Sequence, residues 1–175
     1  MLSIHLIKLI ENHAESLTRE VVQDLRANEH TTSQVQIPQD ELASRIFTLY
    51  RNLGNWLGDP NDDAIRNEYE KWGSIRRSQG IPPSELVYCL ILTKKHLRHY
   101  IREHWSVVFS GDRIASGELA PLELYSIQEL NYLVGDFFDR ALYYLLRGYE
   151  TQLCEPTRAS HSEKCYRTLP AQPRN

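Results

Sequence analysis

Residues 121–152, PLELYSIQELNYLVGDFFDRALYYLLRGYETQ, carry the longest helical pattern in the chain. When successive residues are turned by about 100°, apolar side chains cover about half of this helix, whereas a surface helix needs a stripe of only about 100°. The apolar residues are Ile127, Leu130, Leu133, Val134, Phe137, Phe138, Ala141, Leu142, Leu145 and Leu146. Such a helix is either the centre of its own domain or shared with a partner subunit, and the sequence leaves both possibilities open.

The polar side of the same helix carries a row of tyrosines, Tyr125, Tyr132 and Tyr143. Tyrosine suits a protein–protein contact because it combines a large apolar ring with a hydrogen-bonding hydroxyl. Scattered surface aromatic residues without a function are the alternative. We favour an interface, and the candidate residues of a homodimer contact are Tyr132 and Tyr143 together with Leu142 and Leu146.

Ahead of this helix, the 3.6-residue period predicts helices over about residues 2–28, 38–58, 59–80 and 83–108. No stretch alternates long enough to form a sheet. Pro38 and Pro60 suit the first turn of a helix, while Gly58 and Gly80 suit helix ends. The prediction is an all-α fold of about five main helices in one domain, residues 1–152. A disordered tail or linker is expected at residues 153–175.

The composition is that of an ordinary globular protein, with 41% hydrophobic and 25% charged residues in a chain of 175. The net charge of −3 argues against a nucleic-acid surface, because phosphate binding needs a basic stripe. No apolar run approaches the roughly 18 residues that cross a bilayer. The three cysteines form no CxxC pair. We therefore expect a cytoplasmic, reducing setting without a membrane.

The usual catalytic signatures are missing, since the sequence contains no GxSxG, P-loop, HExxH or GxGxxG pattern. The acid pair Asp62 and Asp63 lies at a predicted helix start, where capping explains it. We assign no catalytic residues and expect a protein that is not an enzyme.

Histidines in the fourth predicted helix are the candidate ligands of a cofactor. His104 lies on the apolar face and His96 at its edge, so either is a candidate axial ligand of haem in a globin-like pocket. A histidine that is hydrogen-bonded locally and fills space is the simpler interpretation, and the one favoured here. His96 and His99 have a spacing that could hold a metal, but no third ligand is signalled. We expect no cofactor and no metal, with haem as the alternative.

Arg76 stands where the third predicted helix calls for an apolar residue, in line with Tyr69 and Trp72. A guanidinium there is costly unless it is paired, and the candidate partners are Glu68 and Asp136. The alternative is a long stem that covers apolar surface and keeps its head in water. The sequence leaves both interpretations open.

Several features of residues 1–152 together resemble one known family. They are the amphipathic stripes from Ile7 to Leu25 and from Leu42 to Leu53, the corner RRSQGIPPSEL at 76–86, and Leu130-Asn131-Tyr132 with Asp136 and Tyr149. The chain is similar in these places to the N-terminal domain of RsbT co-antagonist proteins of the RsbR/RsbRD type. That family has an Arg-x-x-Gln-Gly turn leading into a helix that bears Glu-Leu.

The resemblance implies a globin-like helical fold without haem, a dimer, and a sensory input domain of a bacterial stress-response signalling system. It places Arg76, Gly80 and Pro82 among the structural or signalling residues. It also implies a partner or an attached module, such as a STAS domain or a histidine kinase. Because only residues 153–175 follow the last predicted helix, we expect either a free-standing partner or the input domain of something longer.

Overall fold

The computed structural model describes residues 2–58, 62–109 and 120–151. All regular elements in these ranges are helical, which confirms the predicted all-α class. They are, in chain order, α1 (Leu2–Asn12), α2 (Ala14–Ala27), a 3₁₀ segment (Glu29–Gln36), α3 (Gln39–Arg51), α4 (Leu53–Gly58), α5 (Asp63–Ser78), α6 (Pro83–Phe109) and α7 (Ala120–Thr151). None of the described helices combines the length and the apolar character needed to cross a membrane. The tail expected at residues 153–175 lies outside the described residues.

Two of the predicted helices are each divided in two. The helix expected over 2–28 is broken at His13 (φ −103°, ψ 14°), whose ring bonds the carbonyl of Leu9. The helix expected over 38–58 is broken at Asn52 (φ −113°, ψ 25°), whose side-chain amide donates to the carbonyl of Thr48. Polar side chains that bond the local backbone compete with a continuous helix. The spacing of apolar residues gives no indication of this competition.

The 3₁₀ segment joins α2 to the start of α6. The buried Thr31 donates its hydroxyl to the carbonyl of Leu25 at 2.6 Å. The amide and the hydroxyl of Ser33 both donate to the carboxylate of Glu85, each at 2.9 Å. Residues 29–36, which lie between two predicted helices, therefore form a bonded connection.

α7 is the central helix of the described residues. Its bounds lie within one residue of the prediction, and Leu130, Val134, Phe137, Ala141 and Leu145 are completely buried. It packs against α1, α4, α5 and α6. Contacts within one subunit therefore bury most of the broad apolar side of α7.

α5 and α7 cross with their backbones in contact. A Cβ added to Gly73 would lie 2.0 Å from the carbonyl oxygen of Leu145, and one added to Gly148 would lie 2.0 Å from that of Glu70. Only glycine fits at both positions. Asp62 makes no capping bond at the start of α5, contrary to the prediction; its carboxylate instead bonds α7.

The corner between α5 and α6 forms as predicted. Gly80 has a φ of 72°, which favours glycine. The amides of Gly80 and Ile81 donate to the carbonyls of Arg77 and Arg76, at 3.0 and 3.1 Å. This Schellman motif ends α5, and α6 begins three residues further on, at Pro83.

Candidate functional site

A cavity of about 370 Å³ lies between α3, α5 and α6 and is closed at one side by a residue of α4. This volume is within the range of small-molecule sites, about 300–1,000 Å³. Its walls are mainly apolar and aromatic, and include Leu42, Leu49, Trp56, Tyr69, Trp72 and Leu90. The size and the lining suit a small organic molecule.

Cys89 forms part of the cavity wall but is not suited to covalent chemistry. Its side chain is buried, and this burial raises the pKa of the thiol to about 12. The thiolate is the reactive form of cysteine. A thiol that remains protonated near neutral pH contributes packing to the wall rather than a nucleophile.

The mouth of the cavity carries charged side chains. Arg45 Nη1 lies 3.3 Å from Glu68 Oε1, and its guanidinium carbon lies 5.5 Å from the centre of the Trp72 ring. The side chain of Arg45 is 26% exposed and that of Glu68 is 54% exposed. Exposed ion pairs contribute at most about 1 kcal/mol, so this pair can exchange with competing groups.

Arg76 lies behind this mouth and is completely buried. Its Nη2 donates to Glu41 Oε1 at 2.9 Å, and its Nη1 donates to Gln79 Oε1 at 2.5 Å. Burial lowers the pKa of the Arg76 guanidinium, and the Glu41 carboxylate acts in the opposite direction. Glu41 also lines the cavity. One buried cation therefore ties α3 to the last turn of α5, next to the cavity.

The partners predicted for Arg76 are wrong. Glu68 pairs with Arg45, and Asp136 pairs with Arg140. The interpretation that keeps the head of Arg76 in water is also wrong, since the side chain has no exposed surface. The partner, Glu41, is in the first turn of α3, where the helix dipole alone explains an acidic residue.

The same corner bonds the last turn of α7. The hydroxyl of Tyr149 donates to the carbonyl of Ile81 at 2.9 Å, and the amide of Ile81 donates to the carbonyl of Arg76. Gly80 turns the chain here, and the carbonyl of Pro82 accepts the first amides of α6. The structure thus brings together the three corner residues named from the sequence, at the meeting point of α5, α6 and α7.

The candidate haem ligands have other partners and do not line the cavity. His104 Nδ1 bonds the carbonyl of Tyr100 at 3.1 Å, and the two rings stack with centres 4.0 Å apart. His96 Nε2 lies 2.7 Å from Asp24 Oδ2. His99 contacts Glu103 at 2.9 Å. Residues 2–58, 62–109 and 120–151 contain no group of three acidic, histidine or cysteine side chains placed to hold a metal.

The candidate interface residues of α7 occupy two different positions. Tyr125, Tyr132 and Tyr143 are 62%, 74% and 58% exposed and form one row on the outer side. Leu142 and Leu146 are half-buried, and Leu142 packs against the core. The tyrosines are therefore free to meet a partner, whereas the leucines are partly used within the subunit.

Arg45, Trp56 and the cavity itself were not found from the sequence. Glu41 and Arg45 are one turn apart, at the edge of the apolar stripe of α3. That spacing is a signal that could have drawn attention to both. Their approach to α5 depends on where the fold places α3, which the period does not specify.

Searches against protein-family models, curated proteins and solved structures give no match to this chain.

Proposed function

We propose that the chain is a non-enzymatic sensory input domain of a bacterial stress-response signalling system, with a globin-like arrangement of helices and no haem. The cavity receives the signal and the Arg76 corner transmits it. α7 then passes it to a second copy of the chain and to a protein partner or attached module, such as a STAS domain or a histidine kinase. The resemblance of the corner to RsbR-type input domains supports this role, and a cytoplasmic location goes with it.

A series of bonds from the cavity to the last turn of α7 carries the proposal. Glu41 lines the cavity and holds Arg76. The carbonyl of Arg76 holds the amide of Ile81, and the carbonyl of Ile81 holds Tyr149. Small shifts of packed helices are a common switching device. A change at Glu41 can therefore reach the end of α7 through bonded groups.

A double-mutant cycle between the two ends of this series tests the transmission. Glu41→Gln and Tyr149→Phe each remove one end. If the series acts as a unit, their effects on the free energy of unfolding deviate from additivity by more than about 0.5 kcal/mol. Tyr88 serves as the control because its hydroxyl bonds Asn28, away from the series. Glu41→Gln and Tyr88→Phe should be additive. If Glu41→Gln and Tyr149→Phe are additive as well, transmission through this series of bonds, which we call the relay, is contradicted.

Native mass spectrometry of freshly purified protein tests the dimer and the absence of haem. We expect the mass of a dimer without added ligand. A monomer would contradict dimerisation through α7. An excess mass equal to haem or a metal would replace the haem-free proposal, and His104 and His96 would then be the first residues to substitute.

A further inference from the structure

We infer that the cavity binds a small organic cation, an ammonium group on an aromatic or short apolar body, which takes the place of the Arg45 guanidinium. The inference rests on the proposed function, because it names the chemical class of the signal that the cavity receives.

The position of Arg45 shows that the mouth of the cavity accommodates a cation. Its guanidinium lies over the face of Trp72 at 5.5 Å and beside the carboxylate of Glu68 at 3.3 Å. An aromatic face next to a carboxylate attracts cations in general. Among the described residues the Arg45 head makes one ion-pair contact, and its side chain is partly exposed. An ammonium ion that also buries an apolar body gains free energy that Arg45 does not, and can displace it.

The charges that line the cavity favour a cation over an anion. They are two carboxylates, Glu41 and Glu68, and one guanidinium, Arg45. Arg76 lies behind Glu41 with no exposed surface and offsets the charge of that carboxylate, whereas Glu68 pairs with Arg45. When Arg45 swings outward, Glu68 loses its ion-pair partner, while Glu41 keeps Arg76. An anion would then meet repulsion from Glu68, whereas an ammonium ion would meet the Glu68 carboxylate and the face of Trp72.

The deeper part of the cavity requires more than a bare ion. Tyr69 lies next to Trp72, with ring centres 5.8 Å apart, and Leu49 and Leu90 continue the wall. Each methylene group buried there is expected to tighten binding about fourfold. The ligand therefore needs an apolar body as well as its charge.

A cation at this mouth also acts directly on the proposed relay. Glu41 is the only carboxylate bonded to Arg76 in the described part of the chain. An ammonium group drawn to Glu41 competes with Arg76 for it and weakens the connection between α3 and the corner. An anion paired with Arg45 would leave that connection intact.

Isothermal titration calorimetry of the full chain with three probes of similar shape tests the inference. The probes are 2-phenylethylammonium, 2-phenylethanol and 3-phenylpropanoate. We expect the cation to bind about tenfold more tightly than either of the others. Tighter or equal binding of the anion or the alcohol would overturn the inference, and so would the failure of all three to bind.

Three single variants assign the binding to the mouth. Arg45→Gln removes the internal competitor and should tighten binding of 2-phenylethylammonium, whereas Glu68→Gln should weaken it about fivefold. Glu129→Gln, on the exposed side of α7, should leave it unchanged. Thermal unfolding of each variant confirms that it is folded. Weaker binding by Arg45→Gln would overturn the inference.

The failure of this inference can be told apart from the failure of the proposed function. The cycle between Glu41 and Tyr149 needs no ligand. Non-additivity in that cycle, with no preference for the cation in calorimetry, would keep the relay and overturn the ligand class. Additivity in the cycle, together with tight and selective binding of the cation, would overturn the relay and keep the ligand class.

Discussion

The ion pair of Arg76 with Glu41 is asymmetric. The guanidinium is completely buried, whereas the side chain of Glu41 is 37% exposed. Removing one partner of a buried pair is costly because the other charge is left without compensation. That cost depends on whether water can reach the charge that is left. Water reaches Glu41 but not Arg76.

We therefore predict that Glu41→Gln destabilises the protein more than Arg76→Met. The first leaves a buried cation and should lower the free energy of unfolding by about 3 kcal/mol. The second keeps much of the stem volume and leaves a hydrated carboxylate, so its effect should be about 1 kcal/mol or less. Urea unfolding at neutral pH measures both. The opposite order would show that the Arg76 stem, rather than its charge, is what stabilises this region.

Asp62 provides a pH-dependent contribution to stability. Arg140 and Tyr144 donate to its two carboxylate oxygens. These bonds, that of Arg140 above all, hold the pKa of Asp62 below its ordinary value. A carboxyl group whose pKa is lower in the folded state stabilises the fold at pH values above the unfolded pKa, about 3.9. This contribution is lost as the pH falls through the folded pKa.

The predicted consequence is that Asp62→Asn is less stable than the natural protein at pH 6 and that the difference shrinks as the pH falls below about 4. Unfolding midpoints in urea, measured at several pH values, give the comparison. Asp40→Asn, at an exposed site in the first turn of α3, is the matched control. A difference that stays constant down to pH values well below about 4 would contradict the assigned role of the bond to Arg140.

At the scale of elements, the crossing of α5 and α7 depends on two glycines. A methyl group on Gly73 or Gly148 would meet carbonyl backbone at 2.0 Å. Backbone cannot move aside as a flexible side chain can, so the helices would have to separate. Gly135 is also in α7, but an added Cβ there meets no atom within 4 Å.

Gly73→Ala and Gly148→Ala should each destabilise the protein by about 3 kcal/mol. Gly135→Ala should instead stabilise it by up to about 1 kcal/mol, since alanine is the better helix former. Thermal and urea unfolding of the three variants test this contrast. Equal effects of all three would mean that helix propensity, rather than close contact, governs these positions.

The parts of the fold that the sequence predicted are those with local causes. The end of α5 follows from Gly80 and the prolines after it, and the bounds of α6 and α7 follow from long uninterrupted periods. The breaks at His13 and Asn52 depend on single side-chain bonds to the backbone. Such bonds leave the spacing of apolar residues unchanged, so that spacing does not predict the two breaks.

The candidate site was predicted only in part, because a cavity is defined by how helices pack rather than by any one of them. Arg76 was recognised as anomalous from its place in an apolar stripe. Its partner lies on a helix distant in sequence, and the side chains that α3 extends toward α5 pair Arg76 with Glu41 and Glu68 with Arg45. The position of Arg45 over Trp72 has the same origin.

At the scale of the whole molecule, the inner side of α7 is used within its own subunit, and this limits what a dimer can bury. The row of Tyr125, Tyr132 and Tyr143 is the exposed aromatic surface that α7 retains. Asp136 and Asp139 are exposed on the same helix, between Tyr132 and Tyr143. These acids pair with Arg140 and Lys94 within the subunit. A negative charge added at the same place on each copy would have no such partner and should oppose the contact.

We predict that Tyr132→Glu combined with Tyr143→Glu weakens the proposed dimer at least about tenfold, because like charges would face each other across the proposed contact. The melting temperature should change little, since both side chains are exposed in the monomer. Analytical ultracentrifugation gives the dissociation constant. Phe47→Glu, on the exposed surface of α3, is the control. If the tyrosine variant remains as dimeric as this control, the contact lies elsewhere. The tyrosine row would then not carry the signal from Tyr149 to a second copy.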